Sequence, residues 1–69
     1  MNSAKELLSA VNGNNSNDIQ ALINSGTDIE VKDSDNRTPL MIALYKGNLS
    51  AAKILIENGA NVNAQDKML

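Results

Sequence analysis

The residues of this 69-residue chain that could do chemistry are mostly carboxylates and amides. Asp33, Asp35 and Asn36 crowd oxygen ligands into one polar stretch, which is the composition of a calcium loop. Counted from Asp33, an EF-hand loop requires Asp or Asn at its fifth position, Gly at its sixth and Glu at its twelfth. Those places hold Arg37, Thr38 and Leu44, so the pattern fails at all of them, and the stretch reads as a polar turn whose short side chains bond local backbone. Asp28 and Glu30 alternate, so an extended segment would set both carboxyl groups on one face as an acid–base pair requires. The chain has no His and no Cys, and no aromatic residue stands near this pair, so solvated charges are the better reading. Without His the commonest general base and metal ligand is missing, and without Cys there is neither thiolate nor disulfide. No catalytic residue, metal site or cofactor site is expected. Tyr45 is the one aromatic residue, and Tyr is a good interface anchor. It could equally do no more than cover the edge of Leu44.

Composition removes further classes. Hydrophobic residues make up 42% of the chain, which is not the make-up of a disordered segment. A chain this short buries only about 60% of its unfolded surface, so one small, marginally stable domain is expected. Net charge is −2, and the cations Lys5, Lys32, Arg37, Lys46, Lys53 and Lys67 are scattered along the sequence. That is not the electrostatic footprint of a nucleic-acid binder. No apolar run approaches the roughly 18 residues of a membrane span. Near the N-terminus Glu6 follows Lys5 and polar residues interrupt the apolar positions, which does not make a signal peptide. A cytoplasmic protein with neither a nucleic-acid nor a membrane partner fits these features.

The elements that must position these side chains emerge when the sequence is compared with itself. At an offset of 33, Leu7 falls on Leu40, Ala10 on Ala43, Asn15 on Asn48, Leu22-Ile23 on Leu55-Ile56, Gly26 on Gly59 and Asp33 on Asp66. One coherent offset with matched glycines is a repeat signal. In the first unit, Ala4 to Gly13 reads as a helix capped by Ser3, with Glu6 completing a capping box and Leu7, Leu8, Ala10 and Val11 on one face. Asn14 falls where the second unit has Gly47, and Asn is the second choice for a left-handed residue. Asn17 to Ser25 reads as the next helix, capped by Asn15 or Ser16 and ended by Gly26, with Ile19, Leu22 and Ile23 inward. In the second unit, Thr38 caps Pro39–Lys46, Pro39 suits the first helical position and Gly47 ends the helix. Asn48 is expected to cap Leu49–Asn58, which Gly59 ends. Ala60 to Lys67 would repeat the polar connection that runs from Thr27 to Arg37.

The stretch from Asp33 to Lys67 resembles an ankyrin repeat, whose T-P-L-H-x-A pattern appears as Thr38-Pro39-Leu40-Met41-Ile42-Ala43. The resemblance covers nearly the whole chain and implies an all-α, ankyrin-type α-solenoid of helix–turn–helix repeats joined by β-turn or hairpin fingers. It divides the chain into repeat one at about 1–33, repeat two at about 34–66 and the start of a third at 67–69. Asp33-Ser34-Asp35-Asn36 would form the finger tip, with Asn36 where the family has Gly. Two departures stand out. Repeat one has Lys5-Glu6-Leu7 in place of Thr-Pro-Leu, which suits a terminal capping repeat. Met41 replaces the family's His, so the imidazole hydrogen bonds between neighbouring turns are missing. Ala51 and Ala52 stand where larger aliphatics are usual, which implies a closer approach of helices or a thinner core.

The resemblance implies protein–protein recognition through a concave face and finger tips, with no reaction. By position the contact residues would be Ser34, Asp35, Arg37, Met41 and Tyr45, with Lys5 and Asn12 as weaker counterparts in repeat one. A second expectation is that the chain forms the N-terminal targeting arm of a larger enzyme. A third is self-association through the uncapped face of repeat two, whose Leu40, Ala43, Leu44, Leu55 and Ile56 have the apolar character of an internal repeat.

Overall fold

The computed structural model describes residues 3–62, which form four helices and no strand. These are α1 (Ser3–Asn12), α2 (Ser16–Asn24), α3 (Pro39–Lys46) and α4 (Leu49–Glu57). The all-α solenoid architecture is thus present as two successive helix pairs. The expected third-repeat start and most of the second finger lie outside the described residues.

The helices begin and end for local reasons. Thr38 is extended, and its Oγ1 accepts the Met41 N–H at 3.3 Å while Pro39 occupies the first turn of α3. At α2, Asn15 Oδ1 accepts the Asp18 N–H at 3.4 Å and its Nδ2 donates to the Asp18 carboxylate at 2.8 Å. Each helix ends in the same backbone device. Asn15, Thr27, Asn48 and Ala60 donate their N–H groups back to Ala10, Leu22, Ala43 and Leu55 carbonyls at 2.8–3.1 Å. Each donor follows a left-handed residue, namely Asn14, Gly26, Gly47 or Gly59. This is the Schellman closure, and it satisfies carbonyls that the helix leaves orphaned. Asn14 at φ 54° therefore does what Gly47 does at φ 72°, as the repeat register predicts.

Some expected boundaries move by one residue. Ser3 is the first residue of α1 instead of its cap, α1 and α2 each start and stop one position earlier, and α4 ends at Glu57. Terminal turns differ by this much because their hydrogen bonds are the weakest in the helix.

The two pairs stack in register. Within each pair α1 packs on α2 and α3 on α4; between pairs α1 meets α3 and α2 meets α4. Leu7, Val11, Ile19 and Leu55 are completely buried between them. Fully burying a side chain of that size contributes about 2 kcal/mol. Ala43, Ala51 and Ala52 fill the seam between the pairs, where small side chains let the backbones come close. Ile29 and Val31 tuck the connecting segment against the same core.

Candidate functional site

The connecting segment turns sharply at 33–37. Asp33 holds the turn: its backbone N–H donates to the Arg37 carbonyl at 3.0 Å, and its Oδ1 accepts the N–H groups of Asp35 and Arg37, both at 2.9 Å. Asn36 completes it in a left-handed conformation at φ 65°. The carboxylate that invites a calcium reading is thus taken up by its own backbone. Asp28 behaves similarly, its Oδ1 accepting the Glu30 N–H at 2.9 Å.

Between this finger and the α1–α3 pair lies an open groove of about 490 Å³. Leu8 and Ile42 are among its apolar residues, Asp33 and Arg37 close the finger side, and Tyr45 and Lys46 stand at the end of α3. Tyr45 is 69% exposed. The Arg37 guanidinium lies 5.3 Å from the ring centroid, within cation–π range. The same guanidinium bonds the Asp35 carboxylate at 2.7 Å and stands 3.7 Å from that of Asp33. Arg37 is therefore held from both sides, which orients the face of the tyrosine it covers.

Of the residues expected to make contacts, Arg37 and Tyr45 line the groove together, and Lys5 and Asn12 join them from α1. Asp35 reaches the groove through Arg37. Ser34 is exposed in the turn and Met41 is half-buried in the first turn of α3, both outside the groove lining. Lys46, Ser9 and Leu8 also line the groove and were not anticipated. The sequence did hold a signal for Lys46, which adjoins Tyr45. The cations that are scattered in sequence are not all scattered in space, because Lys5, Arg37 and Lys46 converge here.

Three polar side chains join the pairs in a way local rules do not foresee. Asn48 does not cap α4 with its side chain, contrary to expectation. Its Nδ2 instead donates to the carbonyls of Val11 and Asn12, at 2.9 and 3.2 Å, at the end of α1. The α4 cap comes from the preceding pair: Asn14 Oδ1 accepts the Ala51 N–H at 3.1 Å. That bond requires α4 to lie close to the α1–α2 turn, which the small Ala51 side chain permits. Glu30, expected to be a solvated charge, accepts the Asn61 N–H at 2.7 Å and ties one connecting segment to the next.

The two ends of the stack differ. Beyond α1 and α2 lies an open hollow with Lys5, Glu6, Ser9 and Asp18 around Ala10 and Leu22, and Lys5 and Ser9 line the groove as well. At the other end Leu44, Leu49 and Ile56 are exposed. Val11, the repeat counterpart of Leu44, is fully buried, whereas Leu44 is 56% exposed. Among the described residues no helix is long and apolar enough to cross a membrane.

Known proteins carry the same pattern. The family model described as ankyrin repeats in three copies matches residues 4–67. Delta-latroinsectotoxin-Lt1a of Latrodectus tredecimguttatus is 44% identical over 57 residues, covering 81% of this chain and 5% of that protein. Ankyrin repeat domain-containing protein 29 of Danio rerio is 42% identical over 48 residues, covering 68% and 16% respectively. Serine/threonine-protein kinase VIK of Arabidopsis thaliana is 46% identical over 39 residues, covering 56% and 9%. The chain thus spans only a small part of the relatives it matches. Ankyrin repeats serve in general as protein-interaction modules, stacked to offer a concave surface. With the family pattern running through nearly all its length and both helix pairs closed and stacked as that pattern requires, this chain belongs to the ankyrin-repeat family.

Proposed function

We propose that this chain is a protein-interaction module that holds a segment of a partner protein in the groove between α1, α3 and the finger. Arg37 and Tyr45 are the principal contacts, Ser34 and Asp35 contact the partner from the finger tip, and Met41 contributes from α3. The observation that carries this reading is Tyr45, an exposed ring at a groove wall with one face already fixed by Arg37. A rigid aromatic that loses little freedom on binding is the type of residue on which interface energy concentrates. The segment itself carries out no reaction and takes no metal or cofactor; it acts in the cytoplasm, on neither nucleic acid nor membrane.

The test places a photo-crosslinking amino acid at position 45 and, separately, at Lys53, which is exposed on α4. A discrete crosslinked protein is expected from position 45 and none from position 53; the reverse pattern would move the interface to the outer helices. With the partner in hand, Tyr45→Ala is expected to weaken binding by more than about 1 kcal/mol, roughly fivefold, with little change in melting temperature. Unchanged binding would make the ring a cover for the core.

Two further readings have support. The kinase relative, of which this chain spans 9%, favours a role as an arm of a longer polypeptide that carries its own activity. The intact mass of the natural product decides that. Exposed Leu44, Leu49 and Ile56 favour self-association through the end of the stack.

A further inference from the structure

The chain contains two Asn-Gly pairs, Asn12–Gly13 and Asn58–Gly59. Asparagine before glycine is prone to deamidation, because the following residue has no β-carbon to hinder attack of its backbone nitrogen on the asparagine side chain. Both pairs stand at a helix end and both are exposed, so sequence and exposure alone give them the same fate. Their hydrogen bonds separate them. Asn12 is the last residue of α1, and the Gly13 N–H donates to the Ser9 carbonyl at 3.1 Å. That turn is also held by the second helix pair, since Asn48 Nδ2 bonds the Val11 and Asn12 carbonyls at 2.9 and 3.2 Å. Freeing the Gly13 nitrogen therefore disturbs the junction between the pairs.

Asn58 lies just beyond α4, and its bonds run back into its own helix. Its N–H is shared between the Ile54 and Leu55 carbonyls at 3.1 and 3.2 Å, and its Nδ2 donates to the Ile54 carbonyl at 2.8 Å. The Gly59 N–H donates to the Ile56 carbonyl at 3.0 Å. A tie to another segment follows at Asn61, whose N–H donates to Glu30 at 2.7 Å. Opening of the final turn alone thus frees the Gly59 nitrogen, and terminal turns open at low cost. At the repeat offset of 33 Asn58 falls on Ser25, whose Oγ donates to the Leu22 carbonyl at 2.7 Å. A hydroxyl returns the same kind of bond there and cannot deamidate.

We propose that Asn58–Gly59 is a site of spontaneous deamidation in the folded protein, and that the reaction loosens the end of α4. The Gly59 nitrogen attacks Asn58 Cγ, its proton passing through solvent to the departing amide nitrogen. The new N–C bond forms as the Cγ–Nδ2 bond breaks, and ammonia leaves. Water then opens the cyclic imide at one carbonyl or the other, leaving aspartate or isoaspartate at position 58. Either product loses the donor to the Ile54 carbonyl and sets a carboxylate at the negative end of the α4 dipole. Isoaspartate also routes the main chain through Cβ, which displaces the closure that returns the Ala60 N–H to the Leu55 carbonyl at 3.0 Å.

The test incubates the whole chain in mildly alkaline buffer, folded and in urea, and follows the peptides containing positions 12 and 58 by mass spectrometry. In urea the two pairs are expected to react at like rates. In the folded chain Asn58 is expected to react about tenfold faster than Asn12, because it needs only a local opening. Glu30→Ala should speed the reaction at position 58 severalfold and leave position 12 unchanged. Asn58→Ser should keep the melting temperature and Asn58→Asp should lower it. A folded chain in which Asn58 stays intact, or reacts no faster than Asn12, would overturn the site. An equal acceleration of both positions by Glu30→Ala would overturn the local opening. An Asn58→Asp melt no lower than that of Asn58→Ser would overturn the loosening of α4.

Discussion

Thr27 carries a hydroxyl that is buried and has no hydrogen-bond partner among the described residues. Its repeat counterpart, Ala60, is buried and apolar. Removing a hydroxyl from water without a new bond costs about 1–3 kcal/mol in proteins. Thr27→Val keeps the shape and removes the oxygen, so urea melts are expected to show a gain of about 1 kcal/mol. A loss of stability would mean that the hydroxyl is bonded in solution. Asn14 is the opposite case, since one residue has two roles, a left-handed backbone and the cap of α4 through Ala51. The roles separate by substitution. Asn14→Gly keeps the conformation and loses the hydrogen bond to Ala51, at about 1 kcal/mol. Asn14→Ala loses the cap and also forces a β-carbon into the left-handed region, which adds about 1 kcal/mol. Equal losses in denaturant melts would show that only one of the roles contributes.

Helix ends give the next scale. Gly59 sits at φ 93°, where a β-branched side chain is strained, so Gly59→Val is expected to cost more than about 1 kcal/mol even though the space around it is open. At Gly13 the backbone is not left-handed, and an added β-carbon would meet the Ser9 carbonyl at an ordinary 3.7 Å. Gly13→Ala is therefore expected to leave the melt within about 0.5 kcal/mol. Greater sensitivity at Gly13 would contradict the closure of α1 at Asn14. These ends were legible in the sequence because Thr38, Pro39, Gly47 and Gly59 act within a few residues of themselves. Asn36 and Asn14 could be read as left-handed from the positions they share with Gly in the pattern. The role of Asn48 could not be read that way. A local rule makes Asn before a helix its cap, while the carbonyls it bonds belong to Val11 and Asn12, brought near only by stacking. Glu30 was hidden for the same reason, its acceptor role depending on Asn61 in the next segment. In the groove, Tyr45 and Arg37 were visible from the finger-and-helix pattern. That Lys5 and Lys46 line one groove was not, because it requires α1 and α3 to lie side by side.

For the molecule as a whole, the contrast between buried Val11 and exposed Leu44 motivates a prediction about association. The chain of residues 1–69 is expected to associate with rising concentration in sedimentation, and Leu44→Lys is expected to return it to a monomer. Leu44 is exposed, so that change should leave the melt within about 0.5 kcal/mol at a dilution where the parent chain is itself monomeric. A sharply melting monomer at high concentration, no less stable than a form extended by one repeat, would sink the idea. The polar ties between the pairs carry a further consequence for how such a protein could lengthen by recombination. If repeat two were duplicated in tandem, the second copy of Asn48 would again find a helix end to bond, at the Leu44 and Tyr45 carbonyls. The copied α4 would find no amide side chain to receive its Ala51 N–H, because Gly47 stands where repeat one has Asn14. Repeat two is built to follow repeat one, and a lineage that simply multiplied it would gain length at a weaker junction until Asn replaced glycine there.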